Sequence, residues 1–163
     1  MASESISSAL FIIAGVIAAT ILISAVLPAI FSVGNTFSTV AGSTEDRMRT
    51  DFKIVNTFAS SSTHQSEIWL KNVGPNPISD YELKRLDVFI GDDDSVKRVS
   101  YATSLTDDTY IYDGTSGDWS IGETLHLTIQ SPSEIHSSNQ NVYFSMVTPN
   151  GVRRSTRFTT ITG

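Results

Sequence analysis

The chain has 163 residues, no cysteine, 17% charged residues and a formal net charge of −6. The lack of cysteine excludes disulfides, thiolate zinc sites, iron–sulfur clusters and a cysteine nucleophile. Net acidity argues against nucleic-acid binding, which needs a basic face to meet phosphates.

Charge is absent between Glu4 and Glu45. Residues 1–8 form a short polar start. Ala9–Phe31 then reads ALFIIAGVIAATILISAVLPAIF, interrupted only by Thr20, Ser24 and Pro28. At 1.5 Å per residue this run spans roughly 34 Å, enough for a hydrocarbon core of about 30 Å with some tilt. Thr20 and Ser24 are tolerable in lipid because their hydroxyls can bond back to carbonyls four residues earlier. Pro28 is expected to kink the helix or end it near the membrane surface. A cleaved secretory signal is the rival reading. It would carry a basic start, a shorter apolar run and a small-residue cleavage site. Residues 1–8 contain no Lys or Arg, so a retained transmembrane and assembly helix over 9–31 is the expectation. Basic residues are also absent before the span, and Arg47 and Arg49 after it are offset by Glu45 and Asp46, so flanking charge does not set the orientation.

Two patterns point to helix–helix packing as well as anchoring. Ala14 with Ala18, and Gly15 with Ala19, recur at four-residue spacing, which lets helix backbones approach closely. Ile23, Val26, Ile30, Val33, Phe37 and Val40 follow alternating three- and four-residue steps, as in a coiled-coil seam. The seam runs into residues 32–49, which read either as a helical extension packing on copies of itself or as a linker. Gly34 and Asn35 favour the linker, being poor helix formers.

The second domain is expected over 50–163. From residue 45 onward, sixteen acidic residues face eleven basic ones. The pattern changes to period two and β-branched side chains. Candidate strands are 51–58, 66–72, 83–90, 96–103, 109–112, 124–130, 141–148 and 152–160. Leu125, Leu127 and Ile129 alternate with Thr124, His126, Thr128 and Gln130, the clearest half-buried strand. Turn signals lie at Gly74-Pro75-Asn76-Pro77, Gly91-Asp92-Asp93-Asp94, Asp113-Gly114, Ser131-Pro132 and Asn150-Gly151. The last sits between two good strands and predicts a type I′ hairpin. The fold class is therefore all-β, an Ig-like antiparallel β-sandwich preceded by one long N-terminal hydrophobic helix. No second helix is expected.

Nothing in the sequence assembles a catalytic, cofactor or metal site. His64, His126 and His136 share no ligand spacing, and His126 falls on the polar phase of its strand. No nucleophile elbow, P-loop or dinucleotide fingerprint occurs. Asp92–Asp94 and the Asp107, Asp108, Asp113 group lack the alternating spacing and terminal Glu of an EF-hand, and read as solvated acidic turns. Trp69, Trp119 and Tyr101 are expected to serve the core rather than bind sugar. Arg153, Arg154 and Arg157 cluster on the last strand of an acidic domain. They either protect a sheet edge or contact an acidic partner.

The segment SSALFIIAGVIAATILISAVL resembles the N-terminal helix of the archaeal flagellin (archaellin) superfamily, which is type IV pilin-like. The runs RTDFKIVN (Arg49–Asn56) and IWLKNVG (Ile68–Gly74), with TPNGVR (Thr148–Arg153), are similar to the archaellum accessory protein G group within it. That resemblance implies a non-enzymatic motor component that self-assembles, with its helix in the cytoplasmic membrane and its sandwich outside. Together with accessory protein F it would tie the stationary part of the motor to the S-layer. Residues 1–8 also lack the Lys, Arg and Gly of a processed pilin-like leader, so the accessory protein is favoured over the alternative, a filament subunit.

Overall fold

The structure is a computed structural model and describes residues 2–92, 95–131 and 140–161. His136, Asp93, Asp94 and Pro132 lie outside the described residues. The chain divides into two compact units, 1–44 and 45–163.

Helix α1, Ala2–Arg49, fills the first unit and contributes its last turns to the second. It is long and apolar enough to cross a membrane, with a mean hydropathy of 2.8 in its most apolar window. The helix does not end at Pro28. A proline removes one intrahelical hydrogen bond, and here the flanking turns carry the helix through. Thr20 Oγ1 donates to the Val16 carbonyl at 2.8 Å, whereas Ser24 makes no such bond. Residues 32–44 repeat the device: Thr36 donates to Ser32 at 2.9 Å, Thr39 to Asn35 at 3.0 Å and Ser43 to Val40 at 3.0 Å. Hydroxyls that would otherwise compete with the helix are thereby absorbed into it.

The second unit is an eight-stranded sandwich. The strands are β1 (Phe52–Ser60), β2 (Gln65–Asn72), β3 (Asp87–Gly91), β4 (Val96–Tyr101), β5 (Thr109–Asp113), β6 (Thr124–Gln130), β7 (Asn141–Val147) and β8 (Arg153–Thr159). Their spatial order is β1-β2-β6-β5-β4-β3-β7-β8. Pairing is antiparallel except between β4 and β5, which meet in parallel over two rungs, Ser100–Thr109 and Tyr101–Tyr110. That short seam joins two four-stranded sheets. The two terminal strands also meet, through Ile161 N–H donating to the Ala59 carbonyl at 2.9 Å and Ser61 N–H donating to the Ile161 carbonyl at 3.2 Å. The result is a nearly closed sandwich with few open edges. Its core holds Phe52, Ile68, Leu70, Val88, Ile90, Tyr110, Trp119, Leu125, Leu127, Ile129, Val142 and Phe144.

Three expectations are corrected. Asp80–Leu83 is a short second helix, α2, where the sequence pattern predicts a strand from Leu83 and no helix after the first. A capping box starts it: the Ser79 side chain accepts from Glu82 N–H while the Glu82 carboxylate accepts from Ser79 N–H at 2.9 Å. The S-x-x-E spelling was present in the sequence. Next, the β7–β8 hairpin exists, but its turn is not type I′. Gly151 N–H closes onto the Thr148 carbonyl at 2.8 Å. Gly151 alone is left-handed, at φ +86°, and Asn150 is not. Pro149 at the second position fixes a negative φ, so the loop takes the three-residue form that ends in a left-handed glycine. Finally, Trp69 is not a core residue. Strand parity points it outward, opposite His126 in register, where the two rings stack at 4.6 Å.

Candidate assembly and partner surfaces

Helix α1 is apolar around most of its circumference between residues 9 and 31, and its large side chains are exposed. A helix apolar on all sides is stable only in lipid or among other helices. At about 100° per residue, Ile23, Val26, Ile30, Val33, Phe37 and Val40 fall in one slowly drifting stripe. Gly15 and Ala19 lie on that same stripe, while Ala14 and Ala18 lie about a quarter turn away. Gly15 carries no side chain, which lets a neighbouring helix backbone approach closely there. Phe37 remains 75% exposed and Val40 57%, although both lie beyond the apolar run. The seam therefore continues where lipid is not expected to cover it.

On the second unit, the arginines of β8 are exposed. Arg153 donates to Ser145 Oγ at 2.9 Å and to the Tyr143 hydroxyl at 2.8 Å. Arg157 lies over the Tyr143 ring, 5.6 Å from its centre. The Tyr143 hydroxyl is held below its ordinary pKa, chiefly by hydrogen bonding with Ser145, with Ser155 and Arg153 adding. Arg154 pairs with Asp51 at 2.5 Å, tying the β8 edge to the start of β1. The three are thus not equivalent: Arg154 closes the sandwich, and Arg153 and Arg157 flank a tyrosine on the outer face.

The acidic turns have local roles. Asp92 accepts from Ser95 N–H at 2.6 Å and from Gln140 Nε2 at 3.2 Å, and Asp113 lies 3.2 Å from His126 Nδ1. The His126 ring also lies 3.4 Å from Glu67. His64 occupies a turn at φ +56°. Trp119 is buried and its ring N–H donates to the Glu123 carbonyl at 2.9 Å. Tyr101 is partly buried against the core.

One arrangement escaped the sequence reading. The chain leaving α1 is clasped from two directions. Val73 and Gly74 N–H both donate to the Asp51 carbonyl, at 3.0 and 2.9 Å, and Asn76 N–H donates to the Arg49 carbonyl at 3.2 Å. The hairpin tip reaches the same segment: Asn150 donates to Thr50 Oγ1 at 2.7 Å, and Arg47 donates to the Gly151 carbonyl at 3.1 Å. Asn72, fully buried, props the loop by donating to the Asn76 and Trp119 carbonyls at 3.2 and 2.8 Å and accepting from Gly74 N–H at 3.0 Å. The runs RTDF, KNVG and PNG, 20 to 100 residues apart, converge here. Their spelling marked them; their meeting point was not legible.

Residues 2–158 match the sequence model of archaeal-type flagellin. The chain belongs to the archaeal-type flagellin family. A protein of Archaeoglobus fulgidus is 26% identical over 162 residues, covering 97% of this chain and 99% of that one. Among solved structures, an archaellum periplasmic stator protein, FlaG of Sulfolobus acidocaldarius, is 28% identical over 67% of this chain and 99% of its own, with a TM-score of 0.56. FlaG also matches in its complex with FlaF, at 27% identity over 66% of this chain and 87% of that one, TM-score 0.56. The archaeal flagellum subunit of Methanospirillum hungatei shares the fold across 97% of this chain and 94% of its own, at 17% identity and a TM-score of 0.71. This family member is thus an archaellum component related to both the FlaG stator and archaellin.

Proposed function

We propose that this family member is a non-enzymatic, membrane-rooted stator component of the archaellum, serving swimming motility. The observation that carries the reading is the 28% identity to FlaG across 99% of that solved chain. In this role α1 stays in the cytoplasmic membrane and self-assembles through the stripe Gly15, Ala19, Ile23, Val26, Ile30, Val33, Phe37 and Val40, with Ala14 and Ala18 offering a second close-approach face. The sandwich stands outside, meets an F-type accessory protein and holds the motor's stationary part to the S-layer or envelope. Arg153 and Arg157 are exposed enough to take part in such a contact, and Arg154 is placed beside them. The test is gene deletion. Deleted cells are expected to make archaellin normally but not to swim, and full-length protein should restore swimming; normal swimming in the deletion strain ends the proposal.

A filament-subunit role is the second reading, favoured by the fold likeness to a flagellum subunit across 97% of this chain. Sheared filaments separate the two. Abundant copies of this chain with a processed N-terminus in the filament fraction would establish the second reading; retention with the cell membranes supports the first.

The stripe has its own consequence. Replacing both Val33 and Phe37 by Asp is expected to turn oligomers of the detergent-solubilised chain into monomers, measured by light scattering. Desolvating two carboxylates in a helix–helix contact costs several kcal/mol. The melting midpoint of the sandwich should stay within about 1 °C, since neither side chain belongs to its core. Unchanged oligomers would exclude the stripe as the contact.

A further inference from the structure

The clasp at the end of α1 is flanked by two clefts of opposite charge. One, about 380 Å³, is lined by Arg47, Arg153, Arg154 and Asp51 among others. The other, about 220 Å³, is lined by Asp46 and Glu82, with Thr50 and the hairpin tip between them. Counting these side chains formally, three positive against one negative line the first, and two negative line the second. Asp51 is occupied by Arg154. Among the described residues, no carboxylate forms an ion pair with Arg47 or Arg153, and no cation pairs with Asp46 or Glu82. Arg47 and Arg153 make hydrogen bonds to neutral groups, which fix their direction without cancelling their charge.

From this we infer that the two clefts are the two halves of one contact: the basic cleft of one copy receives the acidic cleft of the next. The second copy is the occupant because the excess charges match, and because both clefts sit on the same short segment, 46–51, at the foot of the helix. The neighbouring residues Asp46 and Arg47 line different clefts and Thr50 lines both, so the two surfaces adjoin. Such a contact joins unlike surfaces, which adjoin on one chain and so can meet twice across a two-fold axis or once per neighbour in a ring or helical array. Guanidinium forks suit a carboxylate partner and fix its orientation. Exposed ion pairs contribute little affinity alone; here they set the register of copies whose helices supply the attraction. The inference deepens the proposed self-assembly through α1 and rests on it.

The absence of cysteine makes the test direct. Two preparations of the full chain carry Met48→Cys, on the basic cleft, or Pro77→Cys, on the acidic one; both positions are exposed and uncharged. Mixed in non-ionic detergent and oxidised, they are expected to cross-link, while each alone cross-links at least about tenfold less. Adding Arg153→Glu to the Met48→Cys chain should cut the mixed yield about tenfold, and Asp46→Lys on the Pro77→Cys chain should recover much of it, as a charge exchange requires. Raising salt to about 1 M should weaken the reaction by shortening the screening length to about 3 Å. Equal cross-linking in single and mixed samples, or indifference to the charge reversals, overturns the inference. Light scattering on the same samples separates the levels. Oligomers without mixed cross-links sink the cleft pairing and leave the helix assembly standing; monomers throughout sink both.

Discussion

Gly74→Ala is expected to destabilise the sandwich by about 3 kcal/mol, lowering its thermal midpoint by roughly 10 °C or more. The cause is space rather than backbone conformation. A Cβ at this position would overlap the Asp51 nitrogen, lie 2.6 Å from the Arg49 carbonyl oxygen and 3.1 Å from the Thr50 carbonyl carbon. These are backbone atoms, so no side chain can turn aside to make room. Relief requires the loop to withdraw, and withdrawal breaks the bonds from Val73 and Gly74 to Asp51 and from Asn76 to Arg49. Helix-interior Gly34→Ala is the control, because a Cβ there meets nothing within 4 Å. Circular dichroism melts of the two chains make the comparison. Equal midpoints would show that the clasp does not hold the foot of the helix to the sandwich.

The next largest effect is expected at Trp119. Its side chain is fully buried, its ring lies 6.1 Å from that of Phe52, and its N–H reaches the Glu123 carbonyl. Its backbone also pairs with Ile78, donating at 2.7 Å and accepting at 3.1 Å. Trp119→Ala leaves a large cavity and takes one of two donors from the Glu123 carbonyl, which keeps the Asn72 N–H at 3.1 Å; the cost is about 3–5 kcal/mol. That is a large share of the roughly 5–15 kcal/mol that holds a domain folded. Trp119→Phe keeps most of the ring contact and loses chiefly the hydrogen bond, about 1–2 kcal/mol. Trp69→Ala should cost least, because that ring lies on the outer face against His126. Urea denaturation ranks the three. A Trp69 substitution as costly as that of Trp119 would contradict the assignment of the two tryptophans to opposite sides of the sheet.

The two tryptophans also mark where reading a sequence fails. Both stand in or beside apolar, strand-like runs. The parity of β2 was available for Trp69, since Ile68 and Leu70 fall on the buried phase on either side of it. What sets Trp119 inside is the chain folding over at Ile78, 41 positions earlier, and pairing with it. Nothing local encodes that. The hairpin at Asn150-Gly151 gives a milder case. The dipeptide signalled a reversal, but Pro149 before it suits the second position of a turn that starts at Thr148, and that turn leaves only Gly151 with a positive φ. The capping box at Ser79–Glu82 was plainly spelled, but the apolar run from Leu83 outweighed it.

Local physics was sufficient for much of this protein. The apolar length of 9–31, the three-four stripe to Val40 and the period-two strands depend on near neighbours along the chain, and each was readable from the order of residues. The family motifs were readable in the same way. Only the tertiary structure decided what those motifs hold. Gly74 reaches Asp51 and Gly151 reaches Arg47 because the strand order brings the β2–α2 loop and the β7–β8 hairpin to the foot of one helix. The same convergence splits Asp46 from Arg47 and gathers Arg153 and Arg154 around the latter. Contacts between positions so far apart follow from which edges pair and how the sheets close, and that depends on the whole core being buried at once rather than on any one segment.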